Sequence, residues 1–276
     1  MRIFFLISIT MIAFAANSVL NRLALVEPQI GPFSFALIRL IAGAGILWGI
    51  LALRGQVGRH SFRPNILSVF GLALYALGFS FAYVTLDAGL GALLLFGGVQ
   101  LTMFIGAAIL GKTPMPLQWL GAFIGFIGLA YLLNPSNSVI DPLGAFFMLL
   151  AAFGWGVYTL VGQRAGNAHL AAAQSFLFTI PIALVVWMFS AGELITPYGV
   201  FLAILSGAIF SGLGYLLWFS VLPQITTITA AVAQLSVPII AMLGGMVFLS
   251  EPFTIQFAVA SVLVLGGIAL SIWAGR

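Results

Sequence analysis

The sequence predicts an all-α integral membrane protein of ten transmembrane helices, arranged as two inverted five-helix repeats, and three observations carry that expectation. Sixty-three per cent of the residues are hydrophobic and five per cent charged, a balance that a water-soluble domain of this length does not carry. The apolar residues fall in long unbroken runs rather than in the alternation of a barrel strand. A helix of roughly 20 such residues crosses a bilayer core about 30 Å thick with every backbone polar group paired internally. The chain also repeats itself at half its length: TPMPLQW (113–119) and SEPFTIQF (250–257) place Pro114 and Gln118 138 positions ahead of Pro252 and Gln256.

Turn residues and charges delimit the spans. The first half gives 3–20, 33–53, 66–86, 88–110 and 117–133, and the second gives 143–162, 170–190, 199–222, 226–249 and 253–274. The connections GRHSFRPN, NPSNSVID and AGELITPYG are too short to fold by themselves. The first span begins with a short basic stretch and contains Ala13-Phe14-Ala15, a pattern that a secretory signal also shows. That span has a counterpart in the second half, where Asn17, Asn21 and Arg22 align with Thr159, Gln163 and Arg164, which argues for keeping it as a helix. In the third and eighth spans LGFSFAYVTL (77–86) aligns with LGYLLWFSVL (213–222). The two units are therefore 1–138 and 139–276.

Five helices per unit is an odd number, so the second unit enters the membrane from the opposite side. Charge supports this independently, because cytoplasmic loops collect Lys and Arg. With the amino and carboxyl termini cytoplasmic, Arg2, Arg54, Arg59, Arg63, Lys112, Arg164 and Arg276 lie inside. All five acids, Glu27, Asp87, Asp141, Glu193 and Glu251, lie outside. The net charge of +4 is scattered over short loops rather than gathered in a stripe, so nucleic acid is not an expected partner. The bilayer and a small-molecule substrate are. The chain has no cysteine, which removes disulfides and thiolate metal sites, and no cofactor is expected.

At this point the chain resembles the drug/metabolite transporter superfamily, and within it the ten-helix EamA-type exporters of amino acids and metabolites. The resemblance rests on the duplicated unit, on PFSFALIRLIAGA, on LGFSFAYVTLDAGLGALL and on LSVPIIAMLGGMVFLSEPFT, and it spans essentially the whole chain. The first copy departs from the pattern, with GKTP where an acid before the proline is commoner. The overall look is nearest to the aromatic amino-acid exporter branch. The resemblance implies a bacterial inner-membrane protein in which helices one to four and six to nine surround a central cavity, with helices five and ten peripheral.

Inverted-repeat transporters hold substrate near the midplane where the repeats meet, so mid-span polar and aromatic residues are the candidates. Asn17 and Asn21 share one helical face, and Thr159 and Gln163 repeat it. Gln100 and Gln234 open the matching runs Gln-Leu-Thr and Gln-Leu-Ser. Two roles fit these amides, interhelical hydrogen bonding worth roughly 0.6 kcal/mol each and lining of the cavity. Tyr75, Phe79 and Tyr83 form a stripe at i, i+4 and i+8, with Tyr215 and Trp218 in the equivalent helix, and Trp155 and Tyr158 share a face of the sixth. Such rings hold an apolar side chain or a cation, although single rings also serve as packing or as interfacial anchors.

Arg39 is the basic residue well inside a span, and it is read either as the partner of a substrate carboxylate or as a residue that reaches outward or caps carbonyls. Pro181 and Pro238 are expected inside spans as kinks and candidate hinges. The glycines of GAFIGFIG and VLVLGGIAL are expected to let helices approach closely.

An enzyme is disfavoured: His60 and His169 lie in or beside loops, no two carboxylates share a helix, and no serine stands in a nucleophile elbow. A channel would need rings of carbonyls or charges, leaving a structural membrane protein as the remaining competitor. No acid is placed at membrane depth, which points to flux driven by the substrate gradient alone, with Asp87 the residue that a shifted helix boundary would bury.

Overall fold

Proline starts four of the helices. Pro32, Pro116, Pro142 and Pro197 each open a helix, where the missing N–H has no intrahelical partner to lose and the fixed φ is already helical. The structure, a computed structural model, describes residues 2–27, 29–55, 64–109, 115–132, 140–162, 164–190, 192–221, 224 and 233–274. In chain order the helices are α1 Arg2–Val26, α2 Pro32–Leu53, α3 Ile66–Ala82, α4 Ala88–Ile109, α5 Pro116–Leu132, α6 Pro142–Gly162, α7 Ala168–Met188, α8 Pro197–Val221, α9 Ser236–Leu249 and α10 Ile255–Ala274. Seven are long and apolar enough to cross a membrane, and α3, α5 and α9 are shorter apolar helices. Large apolar side chains such as Phe70, Phe123, Phe153, Val247 and Val262 cover the outside of the bundle, the surface that lipid requires.

Three elements differ from expectation, and the simplest case is α3, which ends at Ala82 rather than at 86. The first helix continues to Val26 rather than ending near 20, so that Arg22 is helical. Its polar residues do not end the helix because protein satisfies them: Asn21 Nδ2 donates to the Asn17 carbonyl, and Arg22 Nη1 donates to the carbonyls of Tyr83 and Val84. In α8 the ladder loosens to a π-helical register over Leu205–Leu213 before recovering at Gly214–Val221.

The neighbours follow a pattern. α3 packs on α6 and α1 on α8, α4 on α6 and α1 on α9, while α2 meets α7, α4 meets α9 and α5 meets α10. α5 and α10 pair with each other and join the rest chiefly through α4. Glycine permits the closest approaches. A Cβ on Gly154 would stand 2.5 Å from the Gly71 carbonyl oxygen, and one on Gly267 2.5 Å from that of Gly121.

One end of the bundle is acidic, and its carboxylates cap helices. Glu193, from the α7–α8 connection, accepts from the backbone N–H of Phe33 (3.2 Å) and Ser34 (2.8 Å) at the start of α2. Glu251, beyond α9, accepts from Ala88 N (2.9 Å) at the start of α4, and Asp141 accepts from Gly144 N (2.7 Å) at the start of α6. A negative charge at a helix N-terminus meets unpaired N–H groups and the positive end of the dipole. The first two links join different halves of the chain. A short backbone bridge, Ile30 to Ile195, ties the same end further.

Candidate functional site

Phe14 and Asn17 of α1, Tyr75 and Phe79 of α3, Leu95 and Phe96 of α4, Trp155 of α6 and Tyr215 of α8 surround an interior cavity. Its volume is about 10 Å³, room for about one water. Rings fill what would otherwise be open. Tyr75 lies 4.8 Å from Trp155 and 5.1 Å from Phe79 between centroids, and Trp155 lies 4.9 Å from Tyr215. Phe14 presents its edge to Trp155, Tyr215 and Trp218. Offset and edge-on contacts of this kind are worth about 0.5–1.5 kcal/mol each beyond burial.

Polar links hold the wall on one side. The π-helical segment of α8 carries Ser206 and Ser211. The Ser206 hydroxyl donates to Asn17 Oδ1 at 2.7 Å, and Asn17 Nδ2 donates to Ser211 Oγ at 3.3 Å. Arg39 of α2 donates from Nε to the same Ser211 oxygen (3.0 Å) and from Nη2 to the Tyr75 hydroxyl (2.8 Å). Its guanidinium lies 5.0 Å from the centroids of Tyr75 and Phe79. A carbonyl of Arg39 and the glycines Gly43 and Gly207 bring α2 and α8 backbone to backbone here. A π-helical turn re-aims side chains within a continuous helix, and in α8 it turns two serines toward α1 and α2.

The structure gathers Asn17, Tyr75, Phe79, Trp155 and Tyr215 at the cavity, with Arg39, Tyr158 and Trp218 against its lining. Asn21 is buried one turn away and accepts from Ser80. Others lie elsewhere. Tyr83 sits beyond α3 at the acidic end, its hydroxyl donating to the Ala88 carbonyl at 3.3 Å. Thr159 donates within its own helix to the Trp155 carbonyl. Gln100 is half-buried and Gln234 buried, and neither lines the cavity. Gln163 lies outside the described residues. Pro181 is inside α7, which continues through it, whereas Pro238 occupies the first turn of α9 as described, after Leu235.

Several participants were not anticipated. Phe14 is three residues before Asn17, on the face already singled out, so its spacing was a usable signal. Ser206 and Ser211 stand in SGAIFSG, whose paired Ser-Gly steps mark a helix that can approach others closely, but nothing local announces a π turn. At the acidic end Arg22 pairs with Asp87 (3.4 Å) and Glu251 (3.5 Å). Glu251 was expected in or beside an external loop, yet it is buried, at 8% exposure. The turn after α9 explains this: Ser250 adopts a left-handed conformation (φ 54°), which ends the helix and folds Glu251 back against Gly245 and Ala88.

The site offers amides, hydroxyls, aromatic faces and one guanidinium. Such a set can donate and accept hydrogen bonds and stack against an apolar group. Among the described residues no three His, Asp or Glu side chains cluster as metal ligands do.

Comparison with known proteins places this geometry. The model of the EamA-like transporter family matches twice, over residues 1–134 and 142–273. An uncharacterized protein of Pseudomonas aeruginosa is 41% identical over 263 residues, 95% of this chain and 91% of its own. The threonine/homoserine exporter RhtA of Escherichia coli K12 is 28% identical over 239 residues, 82% of this chain and 77% of the exporter. A solved crystal structure superposes with a TM-score of 0.68 over 98% of both chains at 19% identity, a likeness of fold.

Proposed function

The chain belongs to the EamA-like transporter family, and on that premise we propose that it exports small amino acids across a bacterial inner membrane by alternating access. It is a multi-pass membrane transporter and not an enzyme. The observation that carries the substrate class is the cavity itself, an amide and aromatic-lined space between α1, α3 and α4 of the first half and α6 and α8 of the second. Similarity to an exporter of threonine and homoserine supports small amino acids. A second reading, aromatic amino acids, is favoured by the packed rings of Phe14, Tyr75, Trp155 and Tyr215, which could stack on a substrate ring. Cationic drugs are the weaker alternative, because Arg39 beside the lining repels them.

In this proposal units 1–138 and 139–276 are inverted repeats that rock about the cavity, with Pro181 and Pro238 as hinges. The neighbour pattern supports it, since exchanging the halves turns the α3–α6 contact into α8–α1 and α4–α6 into α9–α1. In this reading the acidic end faces outward and both termini lie in the cytoplasm, an orientation that the charge distribution supports. A cavity of about 10 Å³ is too small for an amino acid, so transport requires the rings to separate.

Purified protein in liposomes loaded with labelled L-threonine, L-homoserine or L-phenylalanine tests the proposal. Export of at least one above protein-free vesicles is expected, with Tyr75→Ala and Trp155→Ala each lowering it about tenfold or more. A cysteine placed at Glu193 should react with an impermeant thiol reagent from the external side of cells. Absence of flux for all three amino acids, or labelling of position 193 only from the cytoplasm, would contradict this account.

A further inference from the structure

Arg39 is a cation whose counter-charge is missing. It is 2% exposed, and burial of an ionised group away from water is costly unless a partner compensates it. The chain has five acids, and all five are placed elsewhere. Asp87 and Glu251 pair with Arg22, Glu193 caps α2, Asp141 caps α6 while accepting from Thr85, and Glu27 is exposed beyond α1. Among the described residues no acid is left for Arg39.

Its neutral partners are also incomplete. A guanidinium carries five N–H groups. Nε and Nη2 donate to Ser211 and Tyr75, while the buried Nη1 has no hydrogen-bond partner. The Tyr215 hydroxyl lies close enough to Arg39 and Tyr75 to interact with both, but it meets hydrogen-bond geometry with neither. The Tyr75 and Phe79 rings supply a cation–π attraction, but their quadrupoles do not neutralise a full charge. A residue that reached outward would be hydrated at its tip, and Arg39 is not.

We infer that Arg39 is the receptor for a carboxylate on the transported molecule, with the Tyr215 hydroxyl as a second donor beside it. Nη1 has an N–H free to donate to a carboxylate oxygen, and a hydrogen bond between two ionised groups is among the strongest a side chain makes. Substrates of this class carry a single free carboxylate next to an apolar or hydroxylated side chain that fits against the rings. The inference rests on the transport reading, and it goes further by assigning one substrate group to one residue.

Three matched probes separate the two ideas: L-threonine; L-threoninol, with a hydroxymethyl group in place of the carboxylate; and 3-hydroxybutyrate, which keeps the carboxylate without the amine. Efflux from proteoliposomes, after subtraction of leak from protein-free vesicles, is compared for the full-length protein, Arg39→Lys and Arg39→Gln. At least one carboxylate should leave about tenfold or more faster than threoninol from wild-type vesicles. That ratio should fall towards one in Arg39→Gln and lie between in Arg39→Lys, as loss of a hydrogen bond to a charged group dictates. A purely structural arginine would lower all fluxes together and leave the ratio unchanged. An unchanged ratio in either variant that reconstitutes, threoninol moving as fast as threonine in wild type, or no flux of either carboxylate would each overturn the inference. Flux of 3-hydroxybutyrate without threonine would uphold the receptor and refute the amino-acid reading.

Discussion

Arg22 and Arg39 show how differently one residue type is treated at two depths. Arg22, near the end of α1, meets two carboxylates and two backbone carbonyls, whereas Arg39 has only neutral partners. The tie at Arg22 joins the halves through Glu251, whose carboxyl lies outside the helices. Burial pushes that carboxyl above its ordinary value of 4.5, the Ala88 N–H pulls it down, Asp87 raises it and Arg22 lowers it, with burial the largest effect. An acid whose folded value is raised binds its proton more tightly in the folded state. Its contribution to stability is therefore full below the unfolded value and is lost as pH rises through the folded one. Glu251→Gln cannot titrate. The thermal midpoint of the variant in detergent should gain on that of wild type as pH rises above about 4.5, and then level off. A difference that does not change with pH across that window would contradict the assignment. The sequence could not show this, because SEP reads as a loop and burial of Glu251 depends on the left-handed Ser250 and on a partner 163 positions away.

At the scale of elements, the spans and their faces were legible because helical period converts spacing into direction. Tyr75 and Phe79 reach one wall together, as four-residue spacing on a helix requires. The starts of α2, α5, α6 and α8 moved one or two residues earlier, since proline belongs inside the first turn rather than before it. What spacing cannot reveal is a change of register, and the π-helical segment of α8 turns Ser206 and Ser211 by an amount that no 3.6-residue period predicts. Glycine runs were legible only in part. In the LGG step of α10, a Cβ on Gly267 would meet the Gly121 carbonyl at 2.5 Å and Gly125 N at 2.6 Å, while one on Gly266 would meet nothing within 4 Å. Gly267→Ala should thus force α5 and α10 apart and destabilise by about 1–3 kcal/mol. Gly266→Ala should be neutral or stabilise by up to about 1 kcal/mol through helix propensity. Thermal unfolding in detergent compares them, and equal effects would show that the α5–α10 contact is not as close as described.

For the whole molecule, rings close the interior cavity, and at the acidic end Glu193 and Glu251 from the second half of the chain cap helices of the first. In the proposed transport cycle, Glu193 on α2 and Glu251 on α4 are links that opening at the acidic end has to break, and the cavity is the place that opening has to enlarge. Composition alone made the membrane bundle legible. The partners of individual side chains were not legible, because Ser211 meets Asn17 across 194 residues and only the packed fold brings them together. The central claim is that the space beside Leu95 is the path of the substrate. Leu95 lines the cavity and is 3% exposed, and the chain has no other thiol to confuse a label. Leu95→Cys in proteoliposomes should react with a small hydrophilic thiol reagent presented from either side, more slowly when the transported amino acid is saturating, and modification should abolish efflux. A cysteine at position 95 that stays unreactive from both sides while efflux proceeds, or that is fully modified with efflux unchanged, would contradict the claim.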